Sequence, residues 1–140
     1  MITIFSFRPS PPLKPLILLI AVAALAAVLA PAPVAAQEMF CAAVDGDTLQ
    51  CGNKRVRVMG LDAPEMNARC PDELRLALAA TARLRELVAD GVTLQSTRRD
   101  RYRRLLAVVL DHTGTDVATV LIREGLARGY HGRGKRGGWC

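Results

Sequence analysis

Alternating apolar and polar residues in short segments after residue 38 predict β-strands. In "KRVRVMG", residues 54–60, Val56 and Val58 alternate with Arg55 and Arg57, so one strand face is expected to pack and the other to carry guanidinium groups. Apolar runs in "MFCAAV", "TLQC", "VTLQS" and "RLLAVVL" predict four further strands. The last run is nearly all apolar, which favours a central position. "DGD" and "GN" supply the turns between the first three strands.

Two segments have the spacing of an amphipathic helix. The segment "CPDELRLALAATARLRELVADG", residues 70–91, has Pro71 and Asp72 near its start and Gly91 after its end. Its spacing predicts one core-facing stripe, made of Leu74, Ala77, Leu78, Thr81, Leu84 and Val88. The segment "DVATVLIREGLA" predicts a second helix that ends near Gly125.

This order of elements predicts an α+β fold that is mainly β, a partly open five-stranded Greek-key barrel of the OB type with two packed helices. Barrels of this type bind oligonucleotides across one face, which is an analogy at the level of the fold alone. The final segment, "RGYHGRGKRGGWC" from residue 128, is predicted to be a basic, Gly-rich tail.

The first 36 residues have the pattern of a secretory signal peptide. Arg8 and Lys14 form a basic start, residues 16–30 form an apolar run, and small residues up to Ala36 form a cleavage pattern. The run is short for a membrane span, which needs about 20 apolar residues. We therefore expect cleavage after Ala36 and a periplasmic or secreted domain of residues 37–140. An uncleaved membrane anchor is the alternative.

Charge and cysteine content refine this picture of the mature domain. Without the two basic residues of the signal, 17 basic residues face 13 acidic ones, a net charge of +4 that suits an anionic partner without proving one. All four cysteines follow the signal, so an oxidising compartment predicts two disulfides.

The hairpin register indicates how the cysteines pair. If residues 45–47 form a three-residue loop, residue 44 faces 48 and Cys41 faces Cys51, within disulfide reach. The remaining pair is then Cys70 and Cys140, whose long loop would pin the tail and stabilise the fold by roughly 4 kcal/mol. A zinc site is disfavoured because the sequence has no C-x-x-C spacing.

Acidic residues frame the second hairpin. If its strands pair around the "GN" turn, residue 47 lies opposite 58, and the strand then runs on toward Asp62 at the same end of the hairpin as Asp47. Carboxylates without a nearby His or Cys select a hard cation, calcium first and magnesium second. "DGD" alone is also ordinary turn chemistry, and the acid on the neighbouring strand is what favours a metal site.

Three further residues complete a candidate catalytic set. Glu65 follows Pro64 in a rigid loop, where it can take a proton from a water molecule as a general base. Arg57 and Arg104 can both reach a phosphate and place charge where the transition state gathers it. Each arginine alone is equally an ordinary solvated surface group, so their joint placement carries the interpretation.

Four motifs in order resemble those of the staphylococcal nuclease (thermonuclease) family. They are "VDGDTLQ", "RVMGLDAPE", "DRYRRLLAVV" and "VATVLIREGLARGY", and the resemblance spans residues 39–130. It implies an OB-fold, calcium-dependent endonuclease that hydrolyses DNA and RNA to 3′-phosphorylated products. It implies no stable protein partner, a monomer, and membrane contact only if the signal stays uncleaved.

The resemblance also implies a metal site and a base. Asp47, Asp62 and the backbone carbonyl of Ala63 match the family's calcium ligands, with Asp45 close by through water. Glu65 falls on the general-base position.

For the substrate, Arg57 and Arg104 fall on the family's two arginines that bind the scissile phosphate. Arg101 and Tyr102 match positions that contact another phosphate of the nucleotide. Tyr130 lies near a base-stacking tyrosine, with a gap in the match at that point.

This sequence departs from the family pattern in three places. Arg103 replaces a Gly usually found in the "DRYGR" signature, so Arg103 either adopts a turn conformation that favours Gly or adds a phosphate contact. The loop after Glu65 is shorter and carries Cys70. A third, C-terminal helix has no counterpart, and a Cys70–Cys140 bridge is expected to take over its clamping role.

Two other functions are alternatives to a nuclease. A catalytically silent OB module that binds nucleic acid is expected to have lost Glu65, Asp47 or an arginine, and none is lost. A disulfide-stapled envelope domain that binds an anionic polymer leaves the set of acids and arginines unexplained.

Overall fold

The computed structural model describes residues 38–140, apart from the side chains of residues 96 and 97. The predicted signal peptide, residues 1–36, lies outside the described residues. Nine elements follow in order: β1 (Ala42–Asp45), β2 (Thr48–Cys51), β3 (Lys54–Val58), β4 (Gly60–Asp62), α1 (Pro71–Leu87), β5 (Val92–Arg99), β6 (Leu105–Asp111), α2 (Val117–Arg123) and β7 (Arg128–Tyr130). Within the described residues, none of the helices combines the length and the apolar character that crossing a membrane requires.

Five strands form one mixed sheet in the order β1-β2-β3-β6-β5. All neighbours are antiparallel except β3 and β6, which run parallel, with Val56 beside Leu105. The five predicted strands are present, and β6 lies inside the sheet as its apolar run predicts. The sheet edges meet only at a single bridge between Met39 and Val92, so the predicted barrel is not closed by a continuous ladder.

The first hairpin is tighter than predicted. Ala43 pairs with Leu49 as the predicted register requires, but the register then shifts by one residue, and Asp45 pairs with Thr48. The predicted three-residue loop with residue 44 facing 48 is therefore wrong, because a bulge in β1 shortens the turn to two residues. The second hairpin follows the predicted register, and the Val58 amide donates to the Asp47 carbonyl at 2.9 Å.

Both disulfides join the predicted cysteines. Cys41 is bonded to Cys51 across the β1–β2 hairpin, and Cys70 is bonded to Cys140 over 70 positions of sequence. The first bridge ties the sheet edge to β2, and Cys51 is part of the core. The second bridge ties the C-terminus to the start of α1.

The buried stripe of helix α1 matches the predicted one in part, since Ala77, Thr81, Leu84 and Val88 are buried as predicted. Ala80 is also buried, whereas Leu74 and Leu78 are 41% and 52% exposed, so their predicted core positions are wrong. Apolar residues occur on more than one face of this helix. Which face packs inward is therefore set by small alanines, which let α1 approach the sheet closely.

Glu73 is buried on this inner stripe although its side chain is polar. Its carboxylate accepts the Arg69 backbone N–H at 2.7 Å just before the helix begins, which resembles half of a capping box. The Cys140 sulfur lies 3.6 Å from the same carboxylate. Glu73 therefore organises the point where the tail is attached to α1.

Helix α2 begins at a cap and is tied to α1 by charge. The Asp116 carboxylate accepts the Ala118 N–H at 3.0 Å, as an N-cap does. Arg83 of α1 donates two hydrogen bonds to Glu124 at 2.9 and 3.0 Å and a third to Glu86 at 2.8 Å. These hydrogen bonds raise the pKa of Arg83 above its ordinary value.

The predicted tail does not begin at residue 128. Residues 128–130 form β7, which pairs with β4 so that Asp62 lies opposite Arg128 and Gly60 opposite Tyr130. The sequence pattern does not predict this strand, because glycine is unfavourable in strands and the pairing partner lies far away in the chain. Residues 131–140 have no helix or strand and end in the Cys70–Cys140 bridge.

Candidate functional site

The β1–β2 turn holds two of the predicted acids. Asp45 accepts the Asp47 backbone N–H at 3.0 Å, and Asp47 accepts the Thr48 hydroxyl at 2.9 Å. A Cβ atom at Gly46 would lie 2.8 Å from the Ala63 Cβ, so only glycine lets this turn come so close to the end of β4. The sequence thus brings the "DGD" turn against the loop that carries the other acids.

Arg57 of β3 is buried beside this turn, with 6% of the residue exposed. Its Nη1 contacts the Asp47 carboxylate, and its Nη2 donates to the Leu61 carbonyl at 3.3 Å. The guanidinium therefore spans the space between the β1–β2 turn and β4. The alternation in "KRVRVMG" predicted an exposed polar face for this strand, which is wrong at Arg57 because these partners cover it.

Burial lowers the pKa of Arg57 to about 10, with further lowering by the charges of Arg136 and Arg104. Asp62 and Asp45 act in the opposite direction. The group stays protonated at neutral pH, but its positive charge is held where two other guanidinium charges repel it. An anion placed among these three arginines would relieve that repulsion.

Asp62 ends β4 and is 4% exposed. Its carboxylate oxygens lie 3.5 Å from Arg128 Nη2 and 3.4 Å from Arg136 Nη1. The exposed Glu65 carboxylate lies 3.5 Å from the same Arg136 nitrogen. One guanidinium from the C-terminal segment therefore bridges the predicted metal ligand and the predicted base, while Ala63 between them is buried.

The loop between β5 and β6 is organised around Asp100. This carboxylate accepts the backbone N–H groups of Tyr102 and Arg104 at 2.9 Å and the Arg104 side chain at 2.8 Å. Burial alone raises the pKa of Asp100, but these hydrogen bonds and the charge of Arg104 outweigh it, so the pKa lies below its ordinary value. Arg101 and Arg104 both lie over the Tyr102 ring, at 4.8 and 5.5 Å from its centre.

Arg103 adopts the left-handed conformation in this loop, with φ of 65°. Among the described residues it is the one non-glycine residue with positive φ. Its position in place of the family's usual glycine therefore carries a conformational cost, which is the first of the two alternatives. Arg103 lines neither of the cavities described below, so the structure does not support a phosphate contact there.

Two adjoining cavities bring these elements together. Six residues line both of them: Arg57, Arg101, Tyr102, Arg104, Tyr130 and Arg136. The acidic cavity also contains Asp45, Asp47 and Glu65. The basic cavity continues along β3, β4 and the β5–β6 loop, where Arg98 and His131 join its lining.

The donor chemistry of the acidic residues suits a hard cation, because Asp45, Asp47 and Asp62 offer oxygen atoms alone. Their carboxylates are already close to positive charge, since Arg57 contacts Asp47 and Arg136 contacts Asp62. Within residues 38–140, the only three acid, histidine or cysteine groups with ligand atoms all within 4.8 Å of one another are Cys70, Glu73 and Cys140. The two sulfurs of that trio are bonded to each other, so it is not a metal site.

Most predicted site residues meet at these cavities, with two exceptions. Asp62 and Ala63 are buried and line neither cavity, and Asp62 contacts the cavity lining through Arg136. Arg128 and Arg136 were not predicted as site residues. The basic composition of residues 128–136 was the only signal for them, and it does not say where a tail folds.

Two comparisons with known proteins show what the chain is similar to. A family model described as "Staphylococcal nuclease homologue" matches residues 55–137 of the chain. That match includes the β3–β4 and β5–β6 residues of the site and begins after the "DGD" turn. Endonuclease YhcR of Bacillus subtilis (strain 168) is 31% identical over 101 residues, which is 62% of this chain. The chain spans 8% of the length of that curated relative.

Proposed function

The chain belongs to the staphylococcal nuclease homologue family, and from that membership we propose that it is a nuclease that hydrolyses phosphodiester bonds in DNA and RNA. Membership also supports an OB-like arrangement of its strands, with the substrate crossing one face of the sheet. The similarity to a protein named as an endonuclease supports cleavage within a strand.

One observation carries the proposal: an exposed carboxylate and four arginines line the same cavity. Glu65 shares this cavity with Arg57, Arg101, Arg104 and Arg136. Guanidinium groups bind phosphate oxygens in a two-pronged geometry, and a carboxylate at neutral pH can accept a proton. This combination is what the hydrolysis of a phosphodiester requires.

We assign the cation site to Asp47, Asp62 and the backbone carbonyl of Ala63, with Asp45 contributing through water. Calcium is the preferred ion because the donors are hard oxygen atoms, and magnesium is second. When bound there, such an ion supplies positive charge that polarises the phosphoryl oxygens of the substrate.

In the proposed reaction, Arg57 and Arg104 hold the scissile phosphate and stabilise the charge that develops on its oxygens. Glu65 takes a proton from a water molecule while the water oxygen forms a bond to phosphorus. The bond from phosphorus to the 5′-oxygen breaks, and that oxygen takes up a proton from solvent. The products carry a 3′-phosphate and a 5′-hydroxyl.

We assign the neighbouring nucleotides to the basic cavity. Arg101 and Tyr102 are assigned to the next phosphate, and Tyr130 to stacking against a base. Residues 37–140 are proposed to act in the periplasm or outside the cell, which fits the two disulfides and the signal-like pattern of residues 1–36.

The test is to incubate the purified protein with single- and double-stranded DNA and RNA, with calcium or with EGTA, and to identify the product ends. Calcium-dependent fragments with 3′-phosphate ends are expected. Binding without cleavage in every condition would instead favour a catalytically silent nucleic-acid-binding module. Fragments with 5′-phosphate ends would contradict the assigned leaving group.

A further inference from the structure

We propose that Arg136 is a third phosphate-binding arginine of this site, delivered by a disulfide-anchored C-terminal arm, residues 131–140. The inference rests on the proposed function, because it assigns a phosphodiester as the ligand. It adds a substrate-binding residue from a segment that the sequence pattern indicates only as a basic tail.

Arg136 reaches the centre of the site. Its Nη1 lies 3.4 Å from Asp62 Oδ1 and 3.5 Å from Glu65 Oε1, and its guanidinium lies 5.2 Å from the centre of the Tyr130 ring. It lines both cavities together with Arg57 and Arg104. The proposed base and the proposed phosphate-binding arginines are therefore its immediate neighbours.

The arm is held in place without Arg136. Cys140 is bonded to Cys70, and the Arg128 guanidinium donates to the Gly137 and Gly138 carbonyls at 2.8 and 3.1 Å. The same guanidinium lies 3.7 Å from the centre of the Trp139 ring. These contacts anchor the end of the arm, so Arg136 is not its sole attachment among the described residues.

The backbone of the arm is shaped to bring Arg136 inward. Gly132 and Gly134 both have positive φ, at 80° and 87°, a conformation that other residues rarely adopt. A Cβ atom at Gly137 would lie 2.7 Å from Arg128 Nη1, so a larger residue there would force this guanidinium to shift. Gly132 and Gly134 thus allow the backbone of the arm to follow a path that other residues would rarely adopt.

The charges explain why the ligand is a phosphate. The positive charge of Arg136 lowers the pKa of the buried Arg57, which means that the two guanidinium groups repel each other. Arg104 adds to this repulsion. Three cations gathered around one cavity are stabilised when an anion with several acceptor oxygens binds among them.

Binding of a fluorescent single-stranded DNA dodecamer in EDTA tests the proposal without cleavage. We expect Arg136→Gln to weaken binding at least about tenfold, since a hydrogen bond to a charged group is generally worth that factor or more. The slope of log affinity against log salt should become less negative by about 0.7, the contribution of one phosphate contact on a single strand. Arg136→Lys should give an intermediate affinity, because the charge remains while the two-pronged geometry is lost.

Arg133→Gln is the matched control, because it removes one positive charge from the same arm at a residue that lines neither cavity. It is expected to change the affinity less than about twofold. With calcium present, Arg136→Gln should raise KM for the dodecamer more than it changes kcat. Equal effects of the two substitutions, or tighter binding and faster cleavage by Arg136→Gln, would overturn the proposal, and the second result would identify the arm as an inhibitor.

Removing the anchor gives an independent test. The double variant Cys70→Ser/Cys140→Ser keeps Arg136 and the Arg128 contacts but removes the covalent anchor of the arm, so it should bind the dodecamer more weakly than the wild type. Adding Arg136→Gln to that background should then cause a smaller loss than it causes in the wild type. A full additional tenfold loss would show that the anchored arm does not deliver Arg136. If the wild-type protein binds the dodecamer but does not cleave it, the proposed nuclease activity is contradicted and the role of Arg136 in binding is not. If it does not bind the dodecamer, both the proposed function and the role of Arg136 are contradicted.

Discussion

The Arg57 guanidinium contacts the Asp47 carboxylate at the end of the hairpin where β2 begins and β3 ends. Thr48 pairs with Arg57 in this ladder, and the Val58 amide donates to the Asp47 carbonyl at 2.9 Å. The strand register therefore places a carboxylate beside a buried positive charge. Only 8% of the Arg57 side chain and 13% of the Asp47 side chain are exposed, so water screens this pair poorly.

The first prediction concerns the stability that this pair contributes. Asp47→Asn should lower the free energy of unfolding by about 3 kcal/mol, because the Arg57 charge stays buried without its counter-charge. Urea unfolding in EDTA measures this loss without any contribution from a bound cation. Asp72→Asn is the control, because the Arg75–Asp72 pair is exposed and should contribute less than about 1 kcal/mol. Equal losses for the two variants would contradict the prediction.

The second prediction concerns Arg103, which has φ of 65° in the β5–β6 loop. Arg103→Gly should raise the free energy of unfolding by about 0.5 to 1 kcal/mol, because glycine adopts this conformation without a Cβ clash. Thermal unfolding of the two proteins gives the comparison. The neighbouring Arg101 has no positive φ, so Arg101→Gly should instead leave stability unchanged or lower it. A destabilised Arg103→Gly protein would show that the side chain contributes more than its conformation costs.

The third prediction concerns Glu65 as the general base. Glu65→Gln should lower kcat at least about a hundredfold, since the amide cannot accept the proton from water. Dodecamer affinity in EDTA should not fall, because the substitution removes a negative charge from the cavity proposed to bind an anion. Arg136 loses a partner 3.5 Å away in this variant, so thermal unfolding should be measured alongside. Unchanged turnover would remove Glu65 from the mechanism.

The extent to which the sequence predicts this structure depends on how far apart in the chain the interacting residues lie. The alternation of Val56 and Val58 identifies β3, and the "GN" turn sets its register with β2, because both features are local. Strand β7 was missed, since Arg128–Tyr130 becomes a strand only by pairing with Gly60–Asp62 far away in the chain. Contacts of this kind leave no periodic signal in a three-residue segment.

The candidate site shows the same division. Asp47 directly precedes β2 and Arg57 lies on β3, so the predictable pairing of these two strands brings the residues together. Arg136 reaches Asp62 from a segment whose end is held by the Cys70–Cys140 bond and by Arg128 at Gly137. A basic, glycine-rich composition reveals none of this. On α1, the spacing places Ala77 in the core correctly but adds Leu74 and Leu78 and omits Ala80, because apolar residues occur on more than one face and close packing selects the small alanines.

The fourth prediction concerns pH. Hydrogen bonds from Arg83 lower the pKa of Glu124, and those from Thr113 and Thr115 lower that of Asp111 although burial alone would raise it. For such groups the unfolded chain binds protons more readily than the folded chain does. The free energy of unfolding therefore rises with pH over the range in which these carboxyl groups titrate. This stabilisation should be fully present above about pH 5 and decrease as pH falls through about 4, the ordinary range of carboxyl groups.

Thermal unfolding between pH 7 and pH 3 tests this sign. Tm should stay nearly constant from pH 7 to 5 and then fall. Asp111→Asn should have a lower Tm at pH 7 and a smaller drop on acidification, since its turn loses the carboxylate that accepts from Thr113 and Thr115. A Tm that rises below pH 4, or an unchanged drop in Asp111→Asn, would contradict the assignment.

The last prediction concerns the cation. If Asp47, Asp62 and Ala63 bind calcium in the folded protein and the unfolded chain does not bind it, calcium at about 100 times its Kd should stabilise the fold by roughly 2.7 kcal/mol and so raise Tm. EGTA should reverse this shift in Tm and abolish cleavage. Asp62→Asn should lose the calcium-dependent shift. Asp90→Asn removes the same charge at an exposed position near His112 and should retain it. Because the shift in Tm does not depend on catalysis, a protein that shows it but does not cleave would have a metal site without the proposed chemistry, whereas full activity in EGTA would exclude a catalytic cation.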